Sequence, residues 1–168
     1  TGGASSSGGP VRGTTMSPEI TYAAGSPDWF AMVGEVLVTA ARAADLPADL
    51  SVSLVEHYID GSEIAPGLFQ GLRFEITNGV PSFRTGVTPA EVGDITIHVT
   101  AEVAQRLNQL YTSAPSLVQV QQAALANEHF RMEGDPSRLG AWFAATHDEI
   151  VSRTAGSSVK RAARHREA

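Results

Sequence analysis

The chain has 168 residues, 42% of them hydrophobic and 18% charged, with a formal net charge of −6 and no cysteine. That is one ordinary globular domain's worth, able to bury a core without disulfides or metal. The missing cysteine excludes disulfides, thiolate zinc sites and cysteine nucleophiles together, and a cytoplasmic location fits it.

The charge is unevenly spread: Lys160 to Ala168 carries +3 and the remainder −9. An acidic body repels phosphate backbones, so no nucleic-acid partner is expected. The basic tail, residues 155–168, reads as a solvated, disordered end. No apolar run approaches the ~18 residues needed to span a bilayer. No secretory signal is expected either, because no basic segment followed by an apolar core opens the chain.

Residues 1–17 are a flexible Gly/Ser-rich arm. They carry too little apolar surface to offset the entropy of ordering. They read as a linker or expression remnant, with Met16 as a natural start. The folded body is expected over residues 18–154.

In chain order, the first expected element is a helix over Asp28–Ala44. Trp29, Phe30, Val33, Val36, Leu37 and Ala40 fall on one stripe, Asp28 is the expected cap, and Leu46-Pro47 ends the run. Ser51 to Asp60 is rich in Val, Leu, Tyr and Ile and predicts a strand closed by Asp60-Gly61. Leu72, Phe74 and Ile76 alternate with Arg73, Glu75 and Thr77, so one face is buried and one wet. Asn78-Gly79 predicts a tight hairpin, and Val80–Thr85 returns as its partner. Pro81 marks that partner as an edge or a strand start.

Ile95, Ile97 and Val99 alternate with Thr96, His98 and Thr100 in a further half-buried strand. Thr100 can cap a helix carrying Val103, Leu107 and Leu110. Leu117–Ala126 predicts a second short helix. Phe130 and Met132 alternate with His129, Arg131 and Glu133 in a last strand. Gly134-Asp135-Pro136 ends it, and a closing helix runs to about Arg153 with Asp135 as cap and Pro136 in its first turn.

Tight hairpins between strands predict an antiparallel sheet whose buried side the helices cover. The fold class expected is α+β: one five-stranded, antiparallel-rich sheet with helices packed on one face.

Three stretches carry a family resemblance. They are LFQGLRFEITNGVPSFRTG at residues 68–86, GDITIHVTAEVAQRL at 93–107 and LANEHFRMEGDPSRLGAWF at 125–143. In this order of elements the chain, from about Asp28 to Thr154, resembles the sterol carrier protein-2 family. The resemblance departs in TSAPSLVQVQQ, where the family often has a glycine-rich step between the inserted helices. Arg166-Glu167-Ala168 is not a peroxisomal tripeptide. The resemblance implies an apolar pocket between sheet and helices, walled by Leu72, Phe74, Ile97, Val99, Leu107, Leu110, Leu117, Val120, Leu125, Phe130 and Met132. Each of these also suits an ordinary core.

His57, His98 and His129 lie on expected strands. The neighbours of His98 and His129 (Thr96, Thr100, Arg131 and Glu133) mark a wet face, so no metal site is expected. His147, late in the last helix, suits the negative end of a helix dipole. Glu56, His57 and Asp60 form the densest carboxylate–imidazole group. Glu56 and His57 point to opposite faces of their strand, and whichever faces inward is a polar group in an apolar wall that needs a partner. Any general acid or base is expected there. No phosphate loop, dinucleotide fingerprint, H-E-x-x-H or G-x-S-x-G is present, and no cofactor is expected.

The leading functional expectation is therefore binding or carriage of a lipid-like molecule: a sterol, a fatty acyl group or a polyketide-like metabolite. The alternatives are a small cavity enzyme of specialised metabolism using Glu56, His57 or Asp60, and an interaction or dimerisation domain with a vestigial cavity. A homodimer or a larger multidomain setting is compatible with all three.

Overall fold

The computed structural model describes residues 20–157. Residues 1–19 and 158–168, which include the whole expected arm and most of the expected tail, lie outside the described residues. Helix α1 spans Pro27–Ala43. Its cap is Ser26 rather than Asp28: the Ser26 hydroxyl accepts from the Trp29 amide at 3.2 Å. Proline then sits at the first helical position, where its missing N–H costs nothing. Asp28 falls in the first turn, where its charge suits the helix dipole.

Six strands follow around two helices: β1 Val52–Tyr58, β2 Glu63–Ala65, β3 Leu68–Thr77, β4 Val80–Val87, β5 Ile95–Val99, α2 Ala101–Leu107, α3 Ser116–Ala126 and β6 Phe130–Glu133. A 3-10 turn, Pro136–Arg138, leads into α4, Ala141–Ser152. Side by side the columns run β4, β3, β1, β5, β6. β2 pairs with Leu68 and Phe69, just beyond the point where β1 leaves β3. It therefore prolongs the line of β1, giving six strands in five columns. The short strand escaped sequence reading because all three of its residues are exposed and show no burial pattern.

The hairpin at Asn78-Gly79 forms as expected, with φ of 49° and 77° at the two residues. Both angles are positive, which is the type I′ geometry that matches strand twist. β4 runs two residues longer than Val80–Thr85 and lies at the edge of the sheet, as Pro81 implied. The pairs β1–β3, β3–β4 and β5–β6 are antiparallel, but β1–β5 is parallel. Hairpin logic cannot see that pair. It arises because the chain leaves β4 on one side of β1 and re-enters at β5 on the other.

The registers sort the side chains. Leu54 lies beside Phe74 and Ile95, so the Leu72/Phe74/Ile76 and Ile95/Ile97/Val99 triplets share one face, as expected. These residues form a single core with Trp29, Phe30, Val33, Leu37, Val103, Ala104, Leu139 and Ile150 from the helical segments. The helices thus cover this inner face.

The outer face is not simply wet. Thr96 is 2% exposed and His57 8%. The connection from Thr88 to Asp94 crosses above them. His57 bonds the Glu91 carbonyl, Arg73 donates to the Val92 carbonyl, Thr96 Oγ1 and Gly93 bond one another, and Asp94 accepts from Ser53. The hydrogen bonds from Ser53 hold the Asp94 carboxyl below its ordinary value.

The closing helix also differs from expectation. Asp135 caps only the 3-10 turn, and Gly140, at φ 117°, breaks the chain before α4. After α4 the backbone returns to the start of the domain. Trp29 Nε1 donates to Thr154 Oγ1 at 3.0 Å, and Ala155 donates to the Tyr22 carbonyl at 2.8 Å. Ala155, the first residue of the expected tail, thus bonds to the folded body.

α1 rests on β4 through Gly34. A Cβ there would lie 2.2 Å from the Phe83 ring. Glycine is what lets this helix approach the sheet. Gly34→Ala is expected to destabilise the fold by about 1–3 kcal/mol despite its better helix propensity. Urea denaturation of the two proteins measures the difference, and an unchanged midpoint would contradict the close approach.

Candidate functional site

β1 is the middle column of the sheet, so its inward side chains occupy the centre of the inner face. These are Val52, Leu54, Glu56 and Tyr58, which alternate with the outward Ser53, Val55 and His57. The row through Glu56 reads Thr85, Leu72, Glu56, Ile97, Met132 across the five strands. Leu72 and Ile97, on either side of Glu56, are 4% and 8% exposed. A carboxylate is therefore set between two buried aliphatic side chains.

Burial alone pushes the Glu56 carboxyl up from 4.5 to about 7, with no hydrogen bond or cation to offset it. Glu56 is nevertheless only half-buried, while Leu54 and Tyr58 along its strand are both 5% exposed. The centre of the inner face is thus incompletely covered at the carboxyl.

Tyr58, two residues on, is the second inward polar group. Its ring packs edge-on against Phe30 at 5.1 Å. Its hydroxyl is buried and makes no hydrogen bond. Burial, then the charges of Glu56 and Asp60, push its phenol well above the ordinary range. The rule that flagged Glu56 also reaches Tyr58, since alternation places residues i and i+2 on one face. The sequence reading passed it over as an apolar strand residue.

The other two acid–base candidates are not part of this site. His57 faces outward, stacked on His98 with ring centroids 5.2 Å apart and planes 8° from parallel. A carbonyl can only accept, so the His57 Nε2 that meets Glu91 O carries the proton. Desolvation, then Arg131 and His57, hold the half-buried His98 below its ordinary value. His129 is exposed and precedes β6 by one residue, so it joins neither ring. Asp60 is exposed and accepts from the Ala101 amide at 2.8 Å, tying the turn after β1 to the start of α2. Among the described residues, no three His, Cys, Asp or Glu side chains are grouped to hold a metal ion.

The expected wall residues divide three ways. Leu72, Phe74, Ile97, Val99, Leu117 and Val120 are buried. Leu107, Leu110 and Phe130 are half-buried. Leu125 and Met132 are 54% and 37% exposed. Leu125, Phe130 and Met132 meet at a cleft of about 520 Å³ along the β6 edge, with Ile59 and His98. A second cleft, about 460 Å³ and mostly apolar, lies between α1 and α4 and is lined by Val36, Ala40, Trp142 and Thr146 among others.

Leu107, Phe130, Trp142 and Phe143 pack against the core while staying partly exposed. Trp142 stands over Phe74 with ring centroids 5.9 Å apart. The closing-helix aromatics do not figure among the expected wall residues, although their i, i+1 spacing places them on one side of a helix.

α4 also holds the link between the inserted helices. His147 Nε2 bonds the Leu110 carbonyl, and Asp148 accepts from both the amide and the hydroxyl of Thr112. Those bonds keep the Asp148 carboxyl low. His147 lies inside α4 and does this tethering, a role distinct from the dipole contact expected of it.

No family model matches the chain, and no curated protein matches it. Solved structures that resemble it include the crystal structure of sterol carrier protein 2, at 14% identity and a TM-score of 0.43, covering 80% of this chain and 98% of that one. The solution structure of sterol carrier protein domain 2 of Helicoverpa armigera shares 12% identity at a TM-score of 0.44, covering 84% and 97%. The ubiquinone synthesis protein UbiJ-SCP2 shares 16% at 0.40, covering 72% and 86%. These neighbours bear the name that the sequence resemblance implied. No helix among the described residues is long and apolar enough to cross a membrane.

The raised Glu56 carboxyl makes stability depend on pH with a definite sign. Between about 4.5 and 7 the folded state binds the proton more tightly than the unfolded chain, so stability falls as pH rises through that window. At about 1.4 kcal/mol per pKa unit the loss is at most ~3 kcal/mol. Carboxyl carbon-13 titration should show one glutamate with a midpoint near 7. Glu56→Gln should remove both that midpoint and the fall in melting temperature across the window.

Proposed function

We propose that this chain binds or carries a lipid-like apolar small molecule between the inner face of the sheet and helices α2, α3 and α4. The ligand class is a sterol, a fatty acyl group or a polyketide-like metabolite. The observation that carries the reading is the uneven packing of the inner face. Where α1 meets the sheet, Phe30 and Ile76 are 2% exposed or less. On the side of α2 and α4, Leu107, Trp142 and Phe143 stay half-buried, and on the central strand so does Glu56. Protein interiors are ordinarily packed to crystal-like density, so large apolar groups left half-covered over a sheet suit an apolar guest. The resemblance carried by residues 68–86, 93–107 and 125–143 points the same way.

One observation favours the enzymatic alternative. A carboxyl titrating near neutrality inside an apolar wall is suited to accept or deliver a proton. Only Glu56 of the three acid–base candidates faces the proposed space, so such chemistry would rest on it alone.

The carrier reading is tested with Nile red as an apolar probe and with mass spectrometry of molecules extracted from the native protein. Nile red should bind with a micromolar dissociation constant, roughly −8 kcal/mol. Leu107→Trp, at a half-buried position, should weaken that binding at least several-fold and leave the melting temperature nearly unchanged. Leu117→Trp, at a buried position, should instead cost about 1–3 kcal/mol of stability by overpacking. If Nile red does not bind, or if Leu107→Trp destabilises the fold as much as Leu117→Trp, the half-buried residues are ordinary core and the carrier reading fails.

A further inference from the structure

The inner face holds two unmet polar groups, at successive inward positions of the same central strand. Glu56 is flanked by Leu72 and Ile97 and has no donor to its carboxyl. Tyr58 has a buried hydroxyl with no partner. Residues i and i+2 of a strand lie about 7 Å apart on one face, so both groups border the same region. Buried polar groups are nearly always hydrogen-bonded, so the buried Tyr58 hydroxyl, with the half-buried Glu56 carboxyl beside it, needs an explanation.

We propose that Glu56 and Tyr58 are the polar anchor for the guest, and that the guest is an apolar molecule ending in a hydroxyl, an alcohol or a phenol. The proposal rests on the carrier reading and names its substrate class. A hydroxyl both donates and accepts one hydrogen bond. It can donate to the Glu56 carboxylate and accept from the Tyr58 O–H, which satisfies both groups at once. A carboxylate guest has no proton to give an ionised Glu56 and can be met only after Glu56 takes up a proton. An ammonium cannot accept from Tyr58. An ether can accept from Tyr58 but has no proton for Glu56, and a hydrocarbon leaves both protein groups as they are without a guest. Discrimination of this kind is steep, because a site with buried polar groups rejects an analogue that leaves them unmet.

The test is displacement of Nile red from the full chain by 1-decanol and by 1-methoxydecane, which differ in the terminal hydrogen-bond donor. A purely apolar wall would prefer the ether, which is the less water-soluble of the two. The anchor predicts the reverse: decanol should bind about tenfold more tightly, the worth of one charge-assisted hydrogen bond. Glu56→Met, apolar and of similar length, should abolish that preference while Nile red still binds. Tyr58→Phe removes a donor that both probes can accept from, so it should weaken both and leave the preference largely in place. Equal affinity or an ether preference in the parent protein overturns the anchor and leaves the carrier reading standing. So does a decanol preference that survives in Glu56→Met. The comparison in the parent protein decides the matter even if a variant does not fold. Failure of Nile red itself to bind overturns the carrier reading and the anchor with it.

Discussion

The pairing of β1 on both sides is the constraint on which the rest of the structure depends. Its backbone is hydrogen-bonded antiparallel to β3 and parallel to β5, so it has no free edge. Its inward residues face the helices and its outward residues face the 88–94 connection. A strand covered on four sides leaves its polar side chains little access to solvent. Ser53 finds Asp94, and His57 finds the Glu91 carbonyl and the ring of His98. Glu56 and Tyr58 find none, and that contrast between the two faces sets the candidate site apart from the surrounding core.

The two faces are finished by different means. The outer face is closed by a strap only seven residues long, which works because polar contacts do what a helix would otherwise do by burial. Glu91 meets Arg84 and Arg73, and Asp94 grips Ser53. The inner face is closed by packing, and the packing is graded. On the α1 side a glycine lets the helix settle onto Phe83, and the helix is secured through Trp29 to Thr154. On the α2–α4 side the cover is joined by polar links, His147 to Leu110 and Asp148 to Thr112, while its large apolar groups stay partly open.

Much of this was legible in the residues themselves. The stripe of α1, the alternation of β3 and β5, the Asn78-Gly79 turn and the Thr100 cap are local patterns, and each produces its element within a residue or two. What was not legible is non-local. Nothing in Glu63-Ile64-Ala65 marks a strand, because that strand exists only as a continuation of β1 against β3. The parallel β1–β5 pair depends on where a connection crosses, and no composition records that. The burial of His57 and Thr96 follows from the same crossing, which is why their face reads as wet in sequence and is covered in the fold. Alternation alone marks Glu56 and His57 as pointing oppositely. Which of them faces the helices depends on β1 aligning Leu54 with Phe74 and Ile95.

That alignment makes Glu56 a cost to the fold. Leucine at its position would match Leu72 and Ile97 on either side and complete an apolar row from Leu72 to Met132. A charged group removed from water with no partner destabilises the folded state, and apolar replacements of buried ionic groups are often neutral or stabilising. The half-buried setting lessens that cost without removing it, since the carboxyl still titrates near 7. Tyr58 adds to it, because a phenylalanine would pack against Phe30 equally well and leave no hydroxyl unmet. Two polar groups that weaken the core, side by side on its central strand, have no use in folding. In the proposed anchor their chemistry would match one small polar head on an otherwise apolar guest.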